Sequence, residues 1–141
     1  FILAAEAHCK GAVNSSERVA AVLDAVNHPR VRLHFDIVHF FLGGEDIAQC
    51  VARMIPYTAH THITDAVRHQ DQRFDPRLLG EGELDSVQYM RAMKQAGWQG
   101  YITLEVSMLI WNQEGYDPER AARQSYQELE RAFAVAGVER G

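Results

Sequence analysis

Four short apolar segments of this chain each end in a side chain that binds divalent metals. They are Phe1–Glu6, Val31–Asp36, Ala59–His62 and Tyr101–Glu105, with helix-like stretches between them. Strands that alternate with helices pair in parallel. In a parallel array successive strands point the same way, so their C-terminal ends gather on one face. Glu6, Asp36, His62 and Glu105 then converge there. Taken singly, each is explained by the polar loop that follows a strand. Taken as an ordered set, they point to a site. Three carboxylates and one imidazole make a hard, oxygen-rich ligand set, suited to Mn²⁺ or Mg²⁺ and able to take Co²⁺ or Zn²⁺.

The elements between them follow from spacing and caps. Asn14-Ser15-Ser16-Glu17 offers N-cap chemistry, and Val19, Val22, Leu23 and Val26 share a helical face. Asn27-His28-Pro29 ends that helix. Val31 to Asp36 reads as a buried parallel strand, as do residues 1–8. Gly43-Gly44 breaks the chain before a second helix marked by Ile47, Val51 and Met54-Ile55, which Pro56 stops. A third strand covers about Thr58 to Ile63. Residues 64–84 read as a long polar loop, a length that is usually functional or disordered. Asp85-Ser86 caps a third helix with Val87, Met90, Met93 and Ala96 on its apolar face. The fourth strand is Tyr101 to Val106. Asp117 caps, and Pro118 starts, a last helix to about Ala136, with Ala122, Leu129, Ala132, Phe133 and Val135 among its apolar positions. The sum is β-α-β-α-β-α-β-α, an α/β chain of parallel (β/α) units. Four such units make half of an eight-stranded barrel.

Composition narrows the classes. At 141 residues the chain can form one domain with a real core. No apolar run reaches the roughly 18 residues of a membrane span. The N-terminus has no basic region followed by an apolar stretch and a cleavage site, so a cytoplasmic location is expected. The net charge of −5 and the scattered Lys and Arg argue against a nucleic-acid surface. Cys9 and Cys50, far apart, read as reduced packing residues. The chain opens on Phe1, inside an apparent strand, and reads as a fragment of a longer protein.

The order Glu6-x-His8, Asp36-x-x-His39, His62-x-x-Asp65, Gly80-x-Gly82-x-x-Asp85 and Leu104-Glu105 resembles the sugar-phosphate isomerase/epimerase superfamily, the xylose isomerase-like TIM barrels. The similarity runs through essentially the whole chain, residues 1–141, as a single domain fragment. It corresponds to the C-terminal half of the barrel, strands five to eight. The stretch Gly80 to Asp85 followed by Ala96 to Glu105 is its most specific part. The resemblance implies that Glu6, Asp36, His62 and Glu105 are metal ligands, and it selects His62 over His60, two residues back on the same strand face. It implies that His39 contacts substrate or metal and that Arg68, six residues after His62, contacts substrate. His8 is close enough in sequence to Glu6 to reach the same site.

The implied chemistry is proton removal beside a carbonyl through a metal-held enediolate, with Glu6 and Glu105 working on opposite faces. A carboxylate on each face permits epimerisation. Transfer between adjacent carbons gives aldose–ketose isomerisation, and loss of a β-hydroxyl gives dehydration of the inosose or dehydroshikimate type. The expected function is thus a divalent-metal-dependent isomerase or epimerase of a sugar, sugar phosphate or cyclitol, with a dehydratase as the alternative. Abasic-site endonucleases share this barrel, but they place an Asp-x-His pair where this chain has Asp75-Pro76-Arg77. A non-catalytic barrel is the remaining reading, and all four ligands being present argues against it. The expected partner is a small carbohydrate, with no nucleic acid and no membrane. The full-length protein is expected to be a homo-oligomer. Half barrels leave open sheet edges, so this chain alone is expected to dimerise, aggregate or unfold.

Overall fold

Leu33, Phe35 and Ile63 are almost wholly buried, and they set the plane of the fold. They belong to β2 (Val31–Asp36) and β3 (Thr58–Ile63), the two inner strands of a four-stranded parallel sheet. The outer strands are β1 (Leu3–Glu6) and β6 (Thr103–Leu104), and the order is β1-β2-β3-β6. The computed structural model describes residues 1–71 and 73–139. Register places Glu6 beside His34, Asp36 beside His62, and His62 beside Thr103. The strand ends that carry the candidate ligands therefore lie side by side along one edge.

Helices cover one face of the sheet. They are α1 (Ser16–Val26), α3 (Ile47–Met54), α4 (Ser86–Gln95) and α6 (Pro118–Ala136), which pack in that order, each against the next. Each begins on a side-chain cap, Ser15, Asp46, Asp85 and Asp117 respectively, whose oxygen accepts a first-turn N–H. Tyr89, Met90 and Met93 on α4 and Met54 and Val51 on α3 fill the space between helix and sheet. On α6 the inward residues are Ala121, Ser125 and Ala132, while Ala122 faces out. Two short helices sit near the ligand edge: α2 (Ile37–Leu42) directly after β2, and α5 (Met108–Trp111) after β6.

Three expectations change. Residues 64–84 are not a plain loop: β4 (Asp65–Arg68) and β5 (Phe74–Arg77) form an antiparallel hairpin. Asp65, fully buried, accepts backbone N–H bonds from Gly80, Gly82 and Leu84 at 2.9–3.0 Å and ties the hairpin to the loop before α4. A Cβ at residue 82 would collide with that carboxylate, and Gly80 has φ +89°. The last strand is two residues long rather than six. The Tyr101 carbonyl is instead taken by the Thr61 hydroxyl (2.7 Å) and the Trp98 indole N–H (3.2 Å). Finally, the first strand is not buried: Phe1, Ile2 and Leu3 are more than half exposed. As an edge strand, β1 has a neighbour on one side only among the described residues.

Candidate metal centre

Glu6 ends β1, Asp36 ends β2, His62 lies near the end of β3, and Glu105 follows β6. One ligand atom from each of the four lies within 4.8 Å of the other three. The neighbouring strands hold them there through parallel register, and the Glu105 N–H still bonds the Ile63 carbonyl at 3.1 Å. His62 Nδ1 sits 3.1 Å from Glu105 Oε2, and the Thr64 hydroxyl donates to the same oxygen at 3.5 Å. Asp36 is the buried member, 1% exposed, while Glu6 is open to solvent. Asp36 Oδ1 also accepts the Val38 N–H at 3.1 Å, so the carboxylate caps α2 with one of its oxygens.

The site is electrostatically unbalanced as a set of side chains. Burial pushes the Asp36 carboxyl up to about 7; the Val38 N–H opposes this, and the charges of Glu105 and Glu6 add to it. Three carboxylates this close repel one another unless a cation neutralises them. A divalent ion with a preference for oxygen ligands fits both the donor types and the charge.

The other sequence candidates divide. His8 and His39 line the same cavity as Glu6, Asp36 and Glu105, a space of about 310 Å³. His39 Nε2 stands 3.9 Å from Asp36 Oδ2, and the His8 and His39 ring centroids are 4.2 Å apart. Burial, with His8 and His34 nearby, lowers His39 to about 4, so it is neutral at physiological pH. Arg68 lies outside this cavity. Its guanidinium stacks over the Phe41 ring at 4.2 Å and lies 3.7 Å from Glu83. It lines a second cavity of about 570 Å³ with Lys10, His69 and Arg73, and Leu42 and Phe74 wall both spaces.

Sequence reasoning passed over Thr64, and of a row of three histidines it weighed His60 and His62 but not His34. His34, His60 and His62 share one face of β2 and β3, with ring centroids 4.1–5.2 Å apart. Burial, then His62 and His60, lowers His34 to about 4. The period-two spacing of His60 and His62 carried that signal, but only the β2–β3 register adds His34.

A profile described as xylose isomerase-like TIM barrel matches residues 1–132. The chain belongs to that family. Within the xylose isomerase-like barrels it is 25% identical over 93 residues to a Xenopus laevis protein provisionally named hydroxypyruvate isomerase, a match covering 66% of this chain and 32% of that protein. It is 29% identical over 93 residues to an L-ribulose 3-epimerase of Methylomonas sp. (strain DH-1), covering 66% and 30%. A solved Bacillus anthracis structure, provisionally a 3-DHS dehydratase, superposes with TM-score 0.74 at 15% identity over 92% of this chain and 49% of its own. The matches thus span about a third of the curated relatives and about half of the solved barrel. The parallel sheet with its helical cover is a partial barrel of this family, as the α/β reading of the sequence required. Among the described residues, no helix is long and apolar enough to cross a membrane.

Proposed function

We propose that this chain supplies the metal-binding half of a divalent-metal-dependent isomerase or epimerase acting on a sugar, sugar phosphate or cyclitol. In that reading residues 1–141 are strands five to eight of the barrel. The carrying observation is the convergence of Glu6, Asp36, His62 and Glu105, with ligand atoms within 4.8 Å of one another at the strand ends. These four would hold the ion, and their oxygen-rich set favours Mn²⁺ or Mg²⁺ over Co²⁺ or Zn²⁺. When bound, the cation supplies Lewis-acid polarisation of a substrate carbonyl.

The chain's own residues do the rest. Glu6 and Glu105 come from the two outermost strands of the sheet. Their carboxylates therefore flank Asp36 and His62 from opposite sides. One removes a proton from the carbon beside the carbonyl, and the other returns a proton from the opposite face. Return to the same carbon inverts it; return to the neighbouring carbon, with the hydroxyl proton passing from one oxygen to the other, moves the carbonyl. His8 and His39 line the cavity and bind substrate hydroxyls, while Arg68 reaches the substrate from the adjoining space. Loss of a β-hydroxyl is the dehydratase outcome of the same proton removal.

Calorimetric titration of the metal-stripped protein with Mn²⁺ tests the reading. Binding at about one site is expected, weakened at least ~10-fold in both Glu105→Gln and His62→Ala. An absence of binding, or binding indifferent to both substitutions, would sink it. The loaded protein is then offered ketoses, inososes and dehydroshikimate, and the product formed separates isomerase or epimerase from dehydratase.

A further inference from the structure

Beside the carboxylate centre lies a second group of metal-binding side chains with different chemistry. His8 and Cys9 follow β1, in a turn closed by the Gly11 N–H bond to the His8 carbonyl (2.7 Å). His39 comes from α2. One ligand atom from each of the three lies within 4.8 Å of the other two. Each keeps a donor atom available. The Lys10 N–H occupies His8 Nδ1 at 3.2 Å and leaves Nε2 for another partner. His39 Nδ1 is buried with no hydrogen-bond partner, a state that buried polar nitrogens rarely tolerate. Cys9 is a free, half-buried thiol.

We propose that His8, Cys9 and His39 form a second cation site, for a thiophilic divalent ion of the zinc type, next to the hard carboxylate site. Two imidazoles and a thiolate match Zn²⁺ or Co²⁺ and match Mg²⁺ or Mn²⁺ poorly. Three protein ligands leave the fourth tetrahedral position open. Binding forms a Cys9 sulfur–metal bond and releases the thiol proton to solvent. The two sites touch through His39, whose Nε2 is 3.9 Å from Asp36 Oδ2. One consequence rests on the functional reading above: an ion held here withdraws His8 and His39 from the substrate, so thiophilic metals inhibit turnover.

The test reads the metal rather than turnover. Metal-stripped protein is saturated with Mg²⁺ and then titrated with Co²⁺ while absorption is followed. A sulfur-to-cobalt charge-transfer band in the near ultraviolet is expected. It persists in Cys50→Ser and disappears in Cys9→Ser, and His39→Gln weakens Co²⁺ at least ~10-fold. No band in the native protein, or a band that survives in Cys9→Ser, overturns the proposal. Should Cys9→Ser fail to fold, the native protein still decides. Zn²⁺, and not Mg²⁺, is then expected to slow iodoacetamide alkylation of Cys9 as mapped on its peptide, and equal rates overturn the site. Mn²⁺ binding to the carboxylates is measured separately, so either site can fail while the other stands.

Discussion

Two aspartates do opposite work in this fold. Asp65 is buried and fully occupied, accepting three N–H bonds from the Gly80–Leu84 loop in addition to that of Ala66. Asp65→Asn keeps the size but turns half of the acceptor into a donor facing those N–H groups. A stability loss on the order of 2–3 kcal/mol is expected, read by urea unfolding, because hydrogen bonds to a charged acceptor are the stronger kind. Asp36 is buried among like charges, and its carboxyl is raised from 3.8 to about 7. A raised carboxyl pKa means that the folded state binds the proton more tightly than the unfolded state does. Its contribution to stability is therefore greatest at low pH and is lost as pH rises from about 4 through about 7. His34 and His39, both lowered to about 4, act in the opposite direction over part of that window. The difference between the metal-stripped protein and Asp36→Asn isolates the aspartate. Asp36→Asn is expected to gain stability over the parent between pH 5 and pH 8, and a difference that stays flat with pH would contradict the assignment.

At the scale of elements, caps and periodicity made the helices readable. Ser15, Asp85 and Asp117 stand where the sequence places helix starts. Asp85→Ala removes the acceptor for the Gln88 N–H and is expected to cost about 1 kcal/mol in chemical denaturation without altering metal affinity. The inner strands were equally legible, because Val31–Asp36 carries its apolar residues at the spacing of a strand packed under helices. The hairpin was hidden for a physical reason. Its strands are four residues each, Asp-Ala-Val-Arg and Phe-Asp-Pro-Arg, too short and too charged to show alternation, and Pro76 argues against a strand. What builds the hairpin is non-local, the Asp65 carboxylate gathering backbone from residues 80–84. The candidate ligands were legible because strand ends in a parallel sheet share one side. The Cys9–His39 proximity was not, since it depends on where α2 turns back after β2.

Across the whole molecule, the exposed apolar surface gathers at the first outer strand and around the second. Phe1, Ile2 and Leu3 at β1, Tyr101 just before β6, and Met108, Leu109 and Trp111 on α5 are all at least half exposed. Apolar surface of that kind drives association. The 141-residue chain on its own is therefore expected to show a mass that rises with concentration in sedimentation equilibrium, and a stable monomer across the range would contradict the half-barrel reading. The strand order has a mechanical consequence as well. Glu6 and Glu105 are far apart in the chain, one ending the first outer strand and the other directly following the second, with Asp36 and His62 from the strands between them. An ion gripped by all four would act as a clasp across the width of the sheet. It would resist fraying of β1 and β6 together, although neither strand touches the other through its backbone ladder, so loading the centre would stiffen the edges that are weakest without it.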